Sequence, residues 1–187
     1  MPRKNLYSRE DVLNAALAIT RERGADAVTA RALGERLGTS SKPVFGLFSG
    51  MGEVREGLIR AADEVYQTAI RQAMSAGRYP PYKASGMAYI RFAREERELF
   101  RLLFMRDRSG EERREDGSLG GLIALIARST GLSEENARRL HLEMWIYVHG
   151  IASMTATAYL DFDEETVSDL LSDAYTALTA RWKEKEA

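Results

Sequence analysis

Two short helical runs separated by a single glycine constrain this chain more than any other feature. Thr29 stands before Ala30, Leu33 and Leu37, which recur at i, i+3 and i+7 and so share one apolar face. Gly38 ends that run. Thr39 follows, and Ser40 is expected to cap a third helix holding Val44, Leu47 and Phe48. Pro43 is tolerated because it falls in the first turn, where its missing N–H costs little. Two short helices joined by a tight glycine turn form the helix-turn-helix pattern.

The third run has two faces. Val44, Leu47 and Phe48 are expected to point inward. Ser41, Lys42 and Phe45 share the other side, where a cation and short hydroxyls beside a ring suit a DNA groove. A lysine neutralises phosphate or reaches a guanine edge, and a hydroxyl bonds phosphate. Thr29 and Ser40 add hydroxyls at helix starts, where free N–H groups favour phosphate. The same residues also suit a plain surface turn with a capping serine, and helix spacing alone does not choose between the two.

The rest of the chain reads as helical. Ser8, with Glu10 and Asp11 behind it, caps a first helix bearing Val12, Leu13, Ala16, Leu17 and Ile19, and Gly24 stops it. A long helix is expected from about Glu53 to Ser75 with two apolar stripes, which gives it two packing partners. Gly77 and Pro80-Pro81 mark a turn. Helices follow over roughly Tyr82–Arg94, interrupted by Gly86, and Glu96–Met105. Asp107–Gly117 is polar and charged, and is expected to be a mobile loop. Leu119–Ser129 is a short apolar helix. Ser133 caps a helix reaching about Leu160, whose uncharged second half should be covered on every side. Asp161 and Glu164 stand at capping-box spacing before the last helix, striped by Val167, Leu171, Ala174, Leu178 and Trp182.

Composition removes several classes of function. There is no cysteine, hence no disulfide, thiolate metal site or cysteine nucleophile. That fits a reducing cytoplasm, the expected location. The N-terminus lacks the apolar run of a signal peptide. The uncharged stretch from Met144 to Leu160 falls short of the ~20 mostly apolar residues a membrane span needs. Net charge is −1, but residues 1–60 carry ten Lys+Arg against seven Asp+Glu. A mildly basic head therefore precedes an acidic body, which suits a module touching a polyanion with one end.

Residues 8–60 resemble the N-terminal domain of the TetR/AcrR family of bacterial transcriptional regulators. The resemblance is carried by Ala15-Ala16, Gly24, Thr29-Ala30-Arg31-Ala32-Leu33, Leu37-Gly38-Thr39-Ser40, Val44-Phe45 and Phe48. Trp145-Ile146-Tyr147-Val148-His149-Gly150 resembles the tryptophan, histidine-glycine signature of one C-terminal subclass. The resemblance implies an all-α chain with a three-helix helix-turn-helix DNA-binding domain over residues 8–50. A helical effector-binding and dimerisation domain follows over residues 51–187. It implies a homodimeric repressor, paired through the last two helices, that binds double-stranded operator DNA and releases it when a small effector occupies the body.

Thr29, Arg31, Ser40, Ser41, Lys42, Pro43 and Phe45 are the expected DNA-binding residues. Two positions depart from the family pattern. A tyrosine is common where Phe45 stands, and a lysine is common near Met51, so two phosphate contacts are missing. Lys42, Arg31 and the N-terminal Arg3-Lys4 are the cations placed to compensate. Tyr66, Tyr89, Phe92, Phe104, Met105, Trp145 and His149 are candidate linings of an effector pocket. Their Met and aromatic content points to a mostly apolar ligand. No cofactor, metal or catalytic group is expected. His141 and His149 lie about 12 Å apart along a helix axis, too far for one metal. A helical ligand-binding protein with weak or lost DNA binding is the competing reading, kept alive by Phe45 and Met51.

Overall fold

The computed structural model describes residues 7–109 and 117–186. Among them are nine α-helices, one 3-10 turn and no strand. The helices are α1 (Arg9–Arg23), α2 (Ala30–Arg36), α3 (Lys42–Leu47), α4 (Met51–Ser75), α5 (Pro81–Glu95), α6 (Arg97–Phe104), α7 (Gly117–Thr130), α8 (Glu134–Ala156) and α9 (Glu164–Glu186). Most of the loop expected over Asp107–Gly117 lies outside the described residues. α5 runs unbroken through Gly86, which lies close to Leu171 and Val148. The 3-10 turn, Ala25–Ala27, carries no apolar period and is not legible in the sequence.

The chain forms two compact units. One runs to Thr68 and takes in Glu95–Arg106; the other comprises Ala69–Arg94 and the chain from Asp107 onward. α4 contributes to both.

In the first unit, α1 carries a fully buried Val12, Ala16, Ile19 and Thr20. Its start is fixed by a capping box. The Ser8 hydroxyl accepts from the Asp11 N–H, and the Asp11 carboxylate accepts from the Ser8 N–H. It ends at Gly24, whose φ of 83° lets its N–H reach Thr20 O. α6 packs on α1, with Leu99 and Phe100 fully buried. Arg21 on α1 donates to Glu96, beside α6, from Nε and Nη2, each at 2.8 Å. Burying a ring such as Phe100 contributes roughly 1.5–3 kcal/mol, which explains why a short helix so distant in the chain joins this unit.

In the second unit, α8 lies between α7 and α9. Ile123 and Ile126 of α7, Leu140, Val148 and Ile151 of α8, and Val167, Leu171 and Trp182 of α9 are buried. Ser133 caps α8 by accepting from the Asn136 N–H. α8 ends at Ala156, four residues before the expected Leu160. The chain reverses at Ala158, which holds a φ of 55°, and the Tyr159 N–H reaches back to Met154 O. The box expected at Asp161 does not form; Asp163 caps α9, its carboxylate accepting from the Thr166 N–H at 2.7 Å. Asp161 instead pairs with Arg94 at 3.1 Å. α9 begins at Glu164, so Asp163 and not Asp161 occupies the cap position.

α8 is not covered on every side within one chain. Leu142, Trp145 and Ile146 are 55%, 44% and 59% exposed. The sequence pattern shows that this face is apolar, but not that it stays exposed among the described residues.

Candidate nucleic-acid interface and the C-terminal unit

The helix-turn-helix is built by a close approach of backbone to backbone. α2 starts at Thr29, whose hydroxyl accepts from the Ala32 N–H at 3.1 Å. Gly34, buried in the middle of α2, is what lets the turn fold over it. A Cβ on Gly34 would meet the Ser40 carbonyl carbon at 2.8 Å and Thr39 O at 2.9 Å. The Thr39 N–H donates to Gly34 O at 2.8 Å. Gly38 takes the positive φ of 69° that the turn requires.

α3 is only six residues long. Ser41, not Ser40, holds its cap position, and no side chain caps it. Ser41 itself has helical φ and ψ, so its hydroxyl does not turn back onto the helix. Ser40 Oγ accepts weakly from the Lys42 N–H at 3.4 Å. Val44 is fully buried, Phe48 is 3% exposed and Phe45 is 55% exposed, as the spacing predicts, whereas Leu47 and Ser41, expected on opposite faces, are both half-buried. Lys42 is exposed and has no ion-pair partner among the described residues. Pro43 is half-buried in the first turn. Arg31 is exposed and holds Glu35 at 2.8 Å, an exposed pair that a phosphate can replace cheaply.

The far end of α3 is pinned by Arg9, a residue that helix spacing does not single out. Arg9 on α1 stacks on the Phe48 ring at 4.1 Å, donates to Leu47 O and pairs with Glu53 on α4. Glu53 also accepts from the Ser49 N–H at 2.7 Å and the Ser49 hydroxyl at 3.0 Å. The Ser49 N–H, then Arg9 and the Ser49 hydroxyl, hold the Glu53 carboxyl down to about 2. Tyr7 adds a bond from its hydroxyl to Leu37 O at 2.6 Å, closing the end of α2. Tyr7 and Arg9 lie 30 to 44 residues from the groups they bond, so no local pattern marks those contacts. Arg3 and Lys4, the further cations of the N-terminus, lie outside the described residues. Met51 opens α4.

The seven candidate effector residues do not fall in one unit. Tyr66, Phe104 and Met105 belong to the first. Tyr66 meets Phe104 edge-on at 5.1 Å, and Met105 is 43% exposed. Tyr89, Phe92, Trp145 and His149 belong to the second. There Tyr89 and Phe92 are buried in α5, and the Tyr89 hydroxyl lies 2.9 Å from His149 Nδ1. The Trp145 indole stacks on the imidazole, with ring centres 5.2 Å apart and planes 15° from parallel. A second pair repeats this along the same two helices: the Tyr82 hydroxyl lies 3.0 Å from His141 Nδ1. Burial pushes both imidazoles below their ordinary value and pushes the Tyr82 hydroxyl upward. A neutral imidazole accepting a tyrosine proton at Nδ1 keeps its proton on Nε2. Among the described residues no group of three or more His, Asp or Glu side chains is placed to hold a metal. No helix there is long and apolar enough to cross a membrane.

Residues 82–178, just over half the chain, match the model of the tetracyclin repressor-like C-terminal domain. The chain belongs to that family. It is a TetR-family regulator, with an N-terminal helix-turn-helix followed by the helical C-terminal domain the match covers. No curated protein matches it. A protein of unknown function from Rhodococcus sp. RHA1 shares the fold with a TM-score of 0.72 at 20% identity, over 96% of this chain and 97% of that one.

Proposed function

We propose that the protein is a homodimeric, ligand-responsive repressor that binds operator DNA through α3. The observation that carries this is the division of α3. Lys42 and Phe45 face outward while Val44 and Phe48 root the helix in the head. Ser40, Ser41, Lys42 and Pro43 form the end that meets DNA, with Thr29 and Arg31 beside them on α2. The exposed Leu142, Trp145 and Ile146 support pairing of α8 and α9 with a second copy, since an apolar patch on one helix favours a protein partner.

A small, mostly apolar effector in the C-terminal domain would favour a state in which the two heads no longer match one helical turn of DNA, ~34–36 Å. Only a ligand with unequal affinity for the two states releases the operator. Contact of the effector with Tyr89, Trp145 and His149 would reach a polar group, His149, set among rings. The regulator is expected in the cytoplasm, where its DNA is.

The test is Lys42→Ala in a gel shift with the DNA upstream of its own gene. Affinity should fall roughly three- to tenfold, with the salt slope reduced by about one. Unchanged binding would remove α3 from the interface. Phe45 favours the second reading, a ligand-binding protein with weak DNA affinity: it is 55% exposed and brings no hydroxyl to a phosphate. Phe45→Tyr separates the two, because only a DNA-binding α3 gains affinity from it.

A further inference from the structure

Lys83 on α5 stands out among the cations of the C-terminal unit. Its ammonium donates to the Ser168 hydroxyl at 2.7 Å and the Ser172 hydroxyl at 2.8 Å, both on α9. The Tyr79 ring lies 5.1 Å away. Every one of these partners is neutral. No carboxylate lies within ion-pair distance of Lys83 among the described residues. The adjacent acid, Glu164, lies one turn before Ser168 on α9 and is already held by Arg78 at 2.9 Å and the Tyr79 hydroxyl at 3.3 Å.

A half-buried cation without a counter-charge is costly unless something supplies one. The hydrogen-bond count shows what is left to offer. Ser172 donates its own proton to Ser168 O at 2.9 Å. Ser168 accepts from Lys83, but its own O–H has no acceptor among the described residues. An ammonium has three protons, and the two serines use two of them. One O–H and one N⁺–H therefore remain, on atoms 2.7 Å apart. Two donors on neighbouring atoms with a single positive charge match the two oxygens of one carboxylate. The Tyr79 ring beside them offers an apolar wall for the carbon chain behind it.

We propose that Lys83 and Ser168 form a binding point for the carboxylate of a small organic acid, with Tyr79 flanking its apolar tail. The assignment does not depend on DNA binding, and its test involves no DNA. Hexanoate is added to the full-length protein, and binding is read from broadening of the ligand's proton NMR signals. Hexanol serves as the neutral isostere and inorganic phosphate as the ionic control. Hexanoate should bind more tightly than either. Lys83→Met keeps the apolar stem and should weaken hexanoate at least tenfold. Ser168→Ala removes one unspent donor, together with the acceptor of one Lys83 proton, and should weaken it roughly threefold. If hexanoate fails to bind, or binds wild type and Ser168→Ala alike, or is matched by hexanol, the proposal is wrong. Tighter binding of phosphate than of hexanoate, read from phosphorus NMR and lost in Lys83→Met, would also overturn it, in favour of a general anion site.

Discussion

The two units of this molecule hold themselves together with different chemistry. The first is tied by surface ion pairs and charged hydrogen bonds: Arg9 to Glu53, Arg21 to Glu96, and Arg36 to Glu22 at 2.7 Å. The second joins α5 to its neighbours largely through neutral or singly charged donors: Tyr82 to His141, Tyr89 to His149, and Lys83 to two serines. The difference follows from helix length. α2 and α3 have seven and six residues, far below the ~12–15 at which an isolated helix becomes even marginal. They stand because Leu33 and Val44 are fully buried and because distant side chains grip their far ends, Tyr7 at Leu37 and Arg9 at Leu47 and Phe48. α8 and α9 have 23 residues each and enough apolar surface to pack without such pins. Their polar contacts add to that packing and mix neutral bonds with surface ion pairs, such as Arg181 on α9 to Glu143 on α8 at 3.5 Å.

The most severe way to break the comparison is Gly34→Ala. A Cβ there collides with backbone that cannot move without opening the turn, so the first unit should lose about 2–3 kcal/mol. Both tryptophans, Trp145 and Trp182, lie in the second unit. Urea unfolding followed by circular dichroism should show the loss, while tryptophan fluorescence should move less. Equal shifts in both signals would mean the units do not respond separately.

Tyr89→Phe tests the other side. It strips a hydrogen-bond donor from half-buried His149 and should cost about 1–2 kcal/mol. Here the tryptophan signal should carry the change, because Trp145 stacks on that imidazole.

Acid should separate the units more gently. Burial lowers both histidines from 6.5, so the unfolded chain binds more protons than the folded one below that value. Their contribution is complete above pH ~6.5 and declines as pH falls toward the lowered folded values. Glu53 behaves in a lower window. Its contribution is complete above its ordinary 4.5 and is lost as pH falls to about 2. Between pH ~6.5 and ~5, tryptophan fluorescence should report weakening of the second unit while hydrogen exchange in α1 to α3 stays unchanged. Loss of protection in α3 within that window would contradict the assignment of its pin to the Arg9–Glu53 pair.

The smallest expected effect is at Ala158, the one non-glycine residue with positive φ among those described. Ala158→Gly should stabilise the second unit by about 0.5–1 kcal/mol in urea melts, since it removes the Cβ clash of the left-handed conformation.

Much of the fold is legible in the sequence alone. Ser8, Thr29, Ser133 and Gly24 each act as helix boundaries where a short code of hydroxyl, acid or glycine places them. The code misleads where two candidates stand close together. Ser41 rather than Ser40 precedes α3, and Asp163 rather than Asp161 caps α9, because either residue satisfies the same local rule and only packing selects one. For the candidate DNA-binding residues, the side of α3 that Lys42 and Phe45 occupy is readable from spacing, whereas the grip of Arg9 on Phe48 is not. Of the candidate effector residues, the sequence shows that each is aromatic or polarisable. It does not show that Tyr66, Phe104 and Met105 belong to a different unit from Tyr89, Phe92, Trp145 and His149.

The sequence by itself determined that this chain is helical through most of its described length, where most helices start, and that a short helix with a cationic, aromatic outer face follows a glycine turn. Periodicity and capping act over a few residues, and that range is written in the chain. The tertiary structure alone decided that α6 joins the head and that Gly34 admits the turn, and that, among the described residues, one face of α8 stays uncovered and Lys83 has no counter-charge. Each of these depends on which surfaces meet across long stretches of chain, and side chains tens of residues apart carry no mark in the sequence of the partner they will find.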